Sequence, residues 1–274
     1  MASENKIPDP IFSAFDGVAE TYDISFSHSS IGRLQRKRVH AFLEKSLSKK
    51  AVDILEINCG TGEDAVWLGL KGHRIIATDR SSKMIEMVSL KIQQHHLDSR
   101  VRAIPIAFDN LKDHFEPASF DLIFSNFGGL NCVDEKGLGQ LNDTAAYLLK
   151  PAGRFVAVIM GRKCWWEQFY FLLKGNKKQA FRRKSKNPVQ VQLGNALQST
   201  WYYAPGEIEK IFATKFQRKK LKPVGIFVPP SFLESFFSKR KLLLNILNNL
   251  EAIFSFSLLS NQADHFYVEL QKMN

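Results

Sequence analysis

Residues 51–79 read A-V-D-I-L-E-I-N-C-G-T-G-E-D-A-V-W-L-G-L-K-G-H-R-I-I-A-T-D. Ala51–Ile57 is a short, mostly apolar run, the pattern of a strand buried on both faces. Cys59-Gly60-Thr61-Gly62 reads as a tight turn. From Glu63 to Leu70 the period changes to that of a helix, with Ala65, Val66, Leu68 and Leu70 on or near one side, and Gly72 ends it. Arg74–Thr78 is the next strand, closed by Asp79. The alternation then repeats. Ser81 or Ser82 caps a helix that turns Met84 and Val88 inward. Strands are predicted over Val101–Phe108, Ser119–Phe127 and Phe155–Met160, with a helix over Asp134–Leu149 and a Pro151/Gly153 turn before the last of them. Strand–helix alternation of this kind predicts an α/β, doubly wound, Rossmann-like sheet.

The flanks are helical in pattern. Phe15, Val18, Ala19 and Tyr22 form one stripe, and Ile31–Leu47 form a second helix with Leu34, Val39, Phe42 and Leu43 apolar. Beyond Gly161 come a dense aromatic helix, Trp165–Leu173, and a basic run from Lys174 to Lys186. A helix from Pro205 to Phe216, a strand from Gln217 to Val228, a helix from Ser231 to Leu259 and a last strand from Asp264 to Leu270 complete the chain.

Composition changes this picture little. The chain has 274 residues, 45% hydrophobic, enough for one large domain or one domain with a cap. No long uncharged apolar stretch predicts a membrane-spanning helix. Met1 to Pro10 is polar and unlike a signal peptide. Cys59, Cys132 and Cys164 are scattered and odd in number, which fits neither a disulfide framework nor a zinc site. A reducing, cytoplasmic setting and no metal are expected. The net charge of +11 leaves nucleic acid, an anionic surface, an acidic substrate or plain solubility open.

The chemistry concentrates where strands end. Ligands of doubly wound sheets lie beyond the carboxyl ends of the strands. Gly60 and Gly62 allow close backbone approach, and Asp79 suits two ribose hydroxyls. Gly60-x-Gly62-x-x-Ala65 fits the dinucleotide fingerprint. Glu56, just before the turn, decides against that ligand. A carboxylate there repels a pyrophosphate and suits a cation. S-adenosylmethionine has a sulfonium, an ammonium and no phosphate, so Glu56 with Asp79 favours it over NAD.

At L-E-I-N-C-G-T-G the chain resembles motif I of the class I S-adenosylmethionine-dependent methyltransferases, most closely the small-molecule branch of ubiquinone-biosynthesis type. F-D-L-I at 120–123 and L-L-K-P-x-G at 148–153 are similar to further family marks. Asn58 departs from the pattern, standing where the family usually has Gly; Asn tolerates a left-handed backbone. The resemblance implies a seven-stranded sheet ending in an antiparallel pair, with a helical N-terminal segment and helical cap insertions. It divides the chain into an N-terminal lid (1–47), a core (48–161 and 201–274) and cap insertions (162–200 and 229–262). It implies that Phe15 or Tyr22, Arg80 and Met84 line the nucleoside pocket, and that Asp109, with Asn110 next, accepts from the adenine amine. Asn126 and Phe127 would face the methyl group. The lack of an N-P-P-Y or D-P-P-Y segment argues against methylation of base amines.

Three functions remain. The first is methyl transfer to a small or lipophilic acceptor held under the cap by Phe127, Trp165, Trp166, Tyr202 and Tyr203, with His265, or His28, as a base. The second is RNA methylation through the 174–186 basic run beside stacking aromatics. The third is a non-catalytic, cofactor-binding homologue, suggested by Asn58.

Overall fold

The central strand is β1 (Asp53–Ile57). Its Ile54, Leu55 and Ile57 are completely buried because helices cover both faces. The computed structural model describes residues 13–273. The stretch Met1 to Pro10 and the first twelve residues of the expected lid lie outside the described residues.

The other strands are β2 (Arg74–Asp79), β3 (Val101–Pro105), β4 (Phe120–Ser125), β5 (Leu149–Met160), β6 (Val189–Leu193), β7 (Ala196–Thr200), β8 (Phe216–Val224) and β9 (His265–Lys272). Seven of them form one sheet in the order β3-β2-β1-β4-β5-β9-β8. β1 to β5 run parallel; β9 pairs antiparallel with both β5 and β8. The order reverses at β1 and β4, which is where such sheets open a crevice. Pairing sets Ile57 beside Thr78, and Met160 beside His265. The residues that follow β1, end β2 and follow β4 therefore share one edge with the start of β9.

Local chemistry fixes the helices around this edge. Gly62, at a left-handed φ of 79°, caps the helix Glu63–Leu70. A Cβ on Gly62 would meet Val88 at 2.8 Å, so glycine also lets the helix Ser82–Gln94 pack close. Ser81 accepts from Met84 N at the start of that helix, and Asp134 accepts from Gly137 N at the start of Glu135–Leu148.

Several elements differ from the sequence pattern. The first helix is a broken series, a 3-10 turn (Asp16–Val18), an α-turn (Ala19–Tyr22) and a π-turn (Asp23–Ser27). β3 stops at Pro105, which lacks a ladder donor, and a 3-10 turn Phe108–Asp113 follows. The long helix expected over Ser231–Leu259 bends after Phe237 and resumes as Lys241–Ile253. The bend returns Leu244 to the cluster that holds Ile31, Val228, Leu233 and Phe237. A straight helix would spread these side chains along its length.

The expected insertion 162–200 also contains an unexpected hairpin, β6–β7. V-Q-V-Q-L and A-L-Q-S-T alternate around Gly194-Asn195, with Gly194 at φ 55°. Gly at the first central position suits a tight two-residue hairpin turn. Gly194 lies against Gly17 and Val18, so the hairpin meets the N-terminal segment.

Candidate active site

β1 ends at Ile57 and the chain reverses through three left-handed residues, Asn58 (φ 55°), Gly60 (54°) and Gly62 (79°). Gly60 N donates to Asp79 Oδ2 at 3.0 Å, and Ser81 N donates to Asp79 Oδ1 at 2.9 Å. Asp79 thus braces the turn while each oxygen keeps a lone pair. Its pKa is raised, chiefly by burial, with the Ser81 and Gly60 amides opposing.

Glu56 lies one residue before the end of β1 and is 1% exposed. Among the described residues its Oε2 has no hydrogen-bond partner, and neither has Asn58 Nδ2. Burial pushes the Glu56 pKa well up, Asp64 adds to that and Arg36 opposes it. An unpartnered buried carboxylate is costly. It is satisfied by a ligand that brings a cation or donor, and Asn58 by one that brings an acceptor.

Asp64 is a separate, fully paired acid. It holds Arg36, accepts from Asn126 Nδ2 at 2.9 Å and lies 2.6 Å from His40 Nε2. Burial alone would raise its pKa; Arg36 and His40 hold it below the ordinary range. His40 in turn stacks on Trp67 at 3.8 Å. Asn126 also accepts from Phe127 N at 3.0 Å, which helps fix Phe127 at a left-handed φ of 44°. The N-terminal segment is clamped over the turn by Thr61 Oγ1 donating to Asp23 at 2.5 Å and by Lys91 bridging Asp23 and Glu63. Asp23, His28 and Glu63 sit close enough to ligate a metal ion. Lys91 already supplies the cation there.

Glu56, Asp64, Asp79, Asn126 and Phe127 border a cavity of about 940 Å³. Around the turn it is lined by Phe15, Tyr22, Glu56, Asn58, Gly60, Asp79, Arg80, Met84, Asp109 and Asn126. It continues past Phe127 to Met160, Tyr202, Phe232 and His265, and the hairpin closes one side through Val191, Leu193 and Leu197. Burial raises the Tyr22 pKa to about 12, so its phenol stays neutral.

Not every expected residue reaches the cavity. Gly62 shapes the turn without lining it, and Asn110 points to solvent. Trp165 is half exposed, and Trp166 packs edge-on against Phe237 in the cap's own cluster. Tyr203 is buried beneath the sheet edge, where its hydroxyl donates to Val133 O at 2.5 Å. His28 sits 3.5 Å from Glu63 and lines a different, shallower hollow.

The basic run is not one solvated stretch. Arg183 is buried, donating to Glu167 and Asp264 at 2.8 Å. Arg182 Nε donates to the other Glu167 oxygen at 2.7 Å. Asp264 Oδ2 lies 3.2 Å from His265 Nδ1, short of hydrogen-bond alignment. Burial would raise the Asp264 pKa, but His265 and Arg183 hold it down. The chain Glu167–Arg183–Asp264 holds the carboxylate beside His265, whose ring lines the cavity edge-on to Phe127 at 5.4 Å. The pair of arginines adjoining the cavity was not marked by the sequence, because their acidic partners lie up to 81 residues away.

Residues 54–153 match the model of a family described as a methyltransferase domain. A demethylmenaquinone methyltransferase of Clavibacter sepedonicus is 31% identical over 157 residues, 57% of this chain and 60% of that protein. The chain thus spans about three fifths of that curated relative. Among solved structures, a protein of Pyrococcus horikoshii OT3 superposes with a TM-score of 0.59 at 15% identity, over 93% of this chain and 99% of its own. A SAM-dependent methyltransferase of Methanosarcina mazei gives 0.59 at 16%, over 85% and 97%. At that identity the likeness is one of fold: the Rossmann-like, seven-stranded methyltransferase sheet.

Proposed function

We propose that this chain, whose residues 54–153 match the model of a methyltransferase-domain family, is a methyltransferase that binds S-adenosylmethionine and transfers its methyl group to a small, lipophilic acceptor. The observation that carries the reading is Glu56, a buried carboxylate without a partner among the described residues, beside the glycine turn. A pyrophosphate offers Glu56 no cation and would be repelled by that carboxylate once ionised. Glu56 suits an ammonium or sulfonium, Asn58 a carboxylate, and the free lone pairs of Asp79 suit ribose hydroxyls. Asp109 stands at the rim, where an adenine amine would find an acceptor.

The donor, when bound, supplies an electrophilic methyl on sulfur. The protein's share is alignment: nucleophile, methyl and sulfur must be collinear at close range. Asn126 and Phe127, held by Asp64 and Arg36, fix the floor between the turn and the acceptor side. Phe26 meets Phe127 edge-on at 5.5 Å and Arg36 stacks over it at 5.1 Å, so that ring has little freedom. His265 accepts the proton that a hydroxyl or acidic carbon gives up. Asp264, kept anionic by Arg183, stabilises the imidazolium that results.

The acceptor half is mostly apolar, with Val191, Leu193, Leu197, Met160 and Phe232 beside Tyr202. That lining supports a lipophilic acceptor, as does the name of the Clavibacter relative. Arg182 and Arg183 are neutralised by Glu167 and Asp264, which removes two cations from the surface that RNA would need. The test is product analysis with methyl-labelled S-adenosylmethionine, offering a demethylated naphthoquinol and total RNA in parallel. The reading requires label in the quinol; label in RNA alone refutes it.

A further inference from the structure

The residues beyond β5 build a helical layer whose inner side is packed and whose outer side is not. The helix Trp165–Leu173 lies on the 231–237 segment: Phe171 stacks on Phe232 at 5.9 Å and Trp166 meets Phe237 at 5.7 Å. Leu244 and Leu247 of Lys241–Ile253 join the same cluster. Outward, this layer exposes most of the large apolar side chains found at the surface among the described residues. Phe169 is 63% exposed, Leu173 72%, Leu242 77%, Ile246 50% and Leu258 85%. Exposed apolar surface on this scale marks an interaction site.

Charge selects the partner. The stretches 162–186 and 229–262 contain three acids, Glu167, Glu234 and Glu251. All three face inward. Glu167 binds Arg182 and Arg183, Glu234 accepts from Ser30 N and Ile31 N, and Glu251 accepts from the four backbone amides of residues 225–228. The cations remain outside: Lys174, Lys177, Lys178, Lys239, Arg240 and Lys241 are exposed. Lys174 lies over the Tyr170 ring at 4.5 Å and Arg240 over Phe236 at 3.7 Å, with apolar stems along the apolar face. Apolar side chains ringed by cations, with the acids removed, match an interfacial membrane surface. No helix among the described residues is long and apolar enough to cross a membrane.

We propose that the outer face of residues 165–178 and 232–258 docks the protein peripherally onto an anionic phospholipid bilayer. Phe232 is 42% exposed on this face and also lines the cavity. Docking would therefore set the acceptor end of the cavity against the lipid, a route for a lipophilic acceptor that needs no passage through water. That route rests on the function proposed above; the docking itself does not.

Flotation with vesicles of phosphatidylcholine alone, or mixed with phosphatidylglycerol, tests the proposal without donor or acceptor present. The wild-type protein should float with the mixed vesicles and release as salt rises. Leu242→Ser/Ile246→Ser/Leu258→Ser should bind at least about tenfold more weakly. Lys174→Gln/Lys177→Gln/Lys239→Gln/Lys241→Gln should do the same and lose the salt response. Both should retain the wild-type melting transition and affinity for S-adenosylmethionine, because none of these side chains lines the cavity. A wild-type protein that binds neither vesicle overturns the proposal, as does an apolar variant that floats like wild type. A concentration-dependent dimer, dissolved by the serine variant and found without vesicle binding, would show that a second copy covers this face. Loss of donor binding in the wild type would instead count against the methyl-transfer reading and leave the flotation result standing.

Discussion

Asn58 and Gly129 fit one another: a Cβ added to Gly129 would stand 2.5 Å from Asn58 Cβ and 2.9 Å from its Nδ2. The side chain after β1 thus occupies the room left by a glycine after β4. Gly129→Ala should cost about 1–3 kcal/mol by overpacking. Asn58→Gly should relieve a left-handed backbone and make that space. The double variant Asn58→Gly/Gly129→Ala should recover at least about 1 kcal/mol of the loss, measured by urea unfolding in a double-mutant cycle. Strictly additive effects would mean that the two positions do not share this space.

Glu56 sets a pH dependence whose sign follows from its raised pKa. The native state holds a proton that the unfolded chain releases, so stability falls as pH rises from the ordinary glutamate range toward the native value. Glu56→Gln removes that loss. Without ligand, the variant should exceed wild type in melting temperature near about pH 8 and match it near about pH 4. The same change should weaken S-adenosylmethionine binding. Parallel pH profiles for the two proteins would contradict the role given to Glu56. Asp64 and Asp264, with lowered pKa values, act the other way: their contribution is lost as pH falls below the ordinary aspartate range in both proteins.

Arg183 should be far more sensitive than its neighbours in the basic run. Arg183→Met leaves Asp264 buried without its arginine, while Glu167 keeps Arg182, a loss of about 3–5 kcal/mol. Lys177→Gln/Lys178→Gln, on the exposed side, should stay within about 0.5 kcal/mol of wild type. Chemical denaturation compares them directly, and equal small effects would exclude a structural role for the buried pair.

Much of this could be read from residue order, and the exceptions have physical causes. The turn at 58–62, the helix Glu63–Leu70 and the aromatic helix Trp165–Leu173 follow from local periodicity and glycine placement. The hairpin β6–β7 also carried a local signal, V-Q-V-Q-L before Gly-Asn, but it lay within a segment read as a cap insertion. The burial of Arg183 carried none: its partners come from Glu167 and from Asp264, 81 residues away. Trp166 and Tyr203 look like Tyr202 in sequence. Only packing distinguishes them, since Trp166 turns to Phe237 and Tyr203 to Val133 while Tyr202 borders the cavity.

The proposal that His265 takes a proton from the acceptor predicts that its removal separates chemistry from binding. His265→Gln should lower turnover of an identified acceptor by about 10²–10⁴, with S-adenosylmethionine affinity unchanged. Full turnover in this variant would assign the histidine to packing against Phe127.

The claim that the cavity is built for a cationic nucleoside is tested most directly by calorimetry with S-adenosylmethionine and with NAD, on wild type and on Asp79→Ala. The wild-type protein should bind S-adenosylmethionine and not NAD. Asp79→Ala should lose about 1.5–3 kcal/mol of that affinity, the usual worth of hydrogen bonds to a charged group, while keeping a cooperative melting transition. Tighter binding of NAD than of S-adenosylmethionine, or an affinity untouched by Asp79→Ala, would contradict the account.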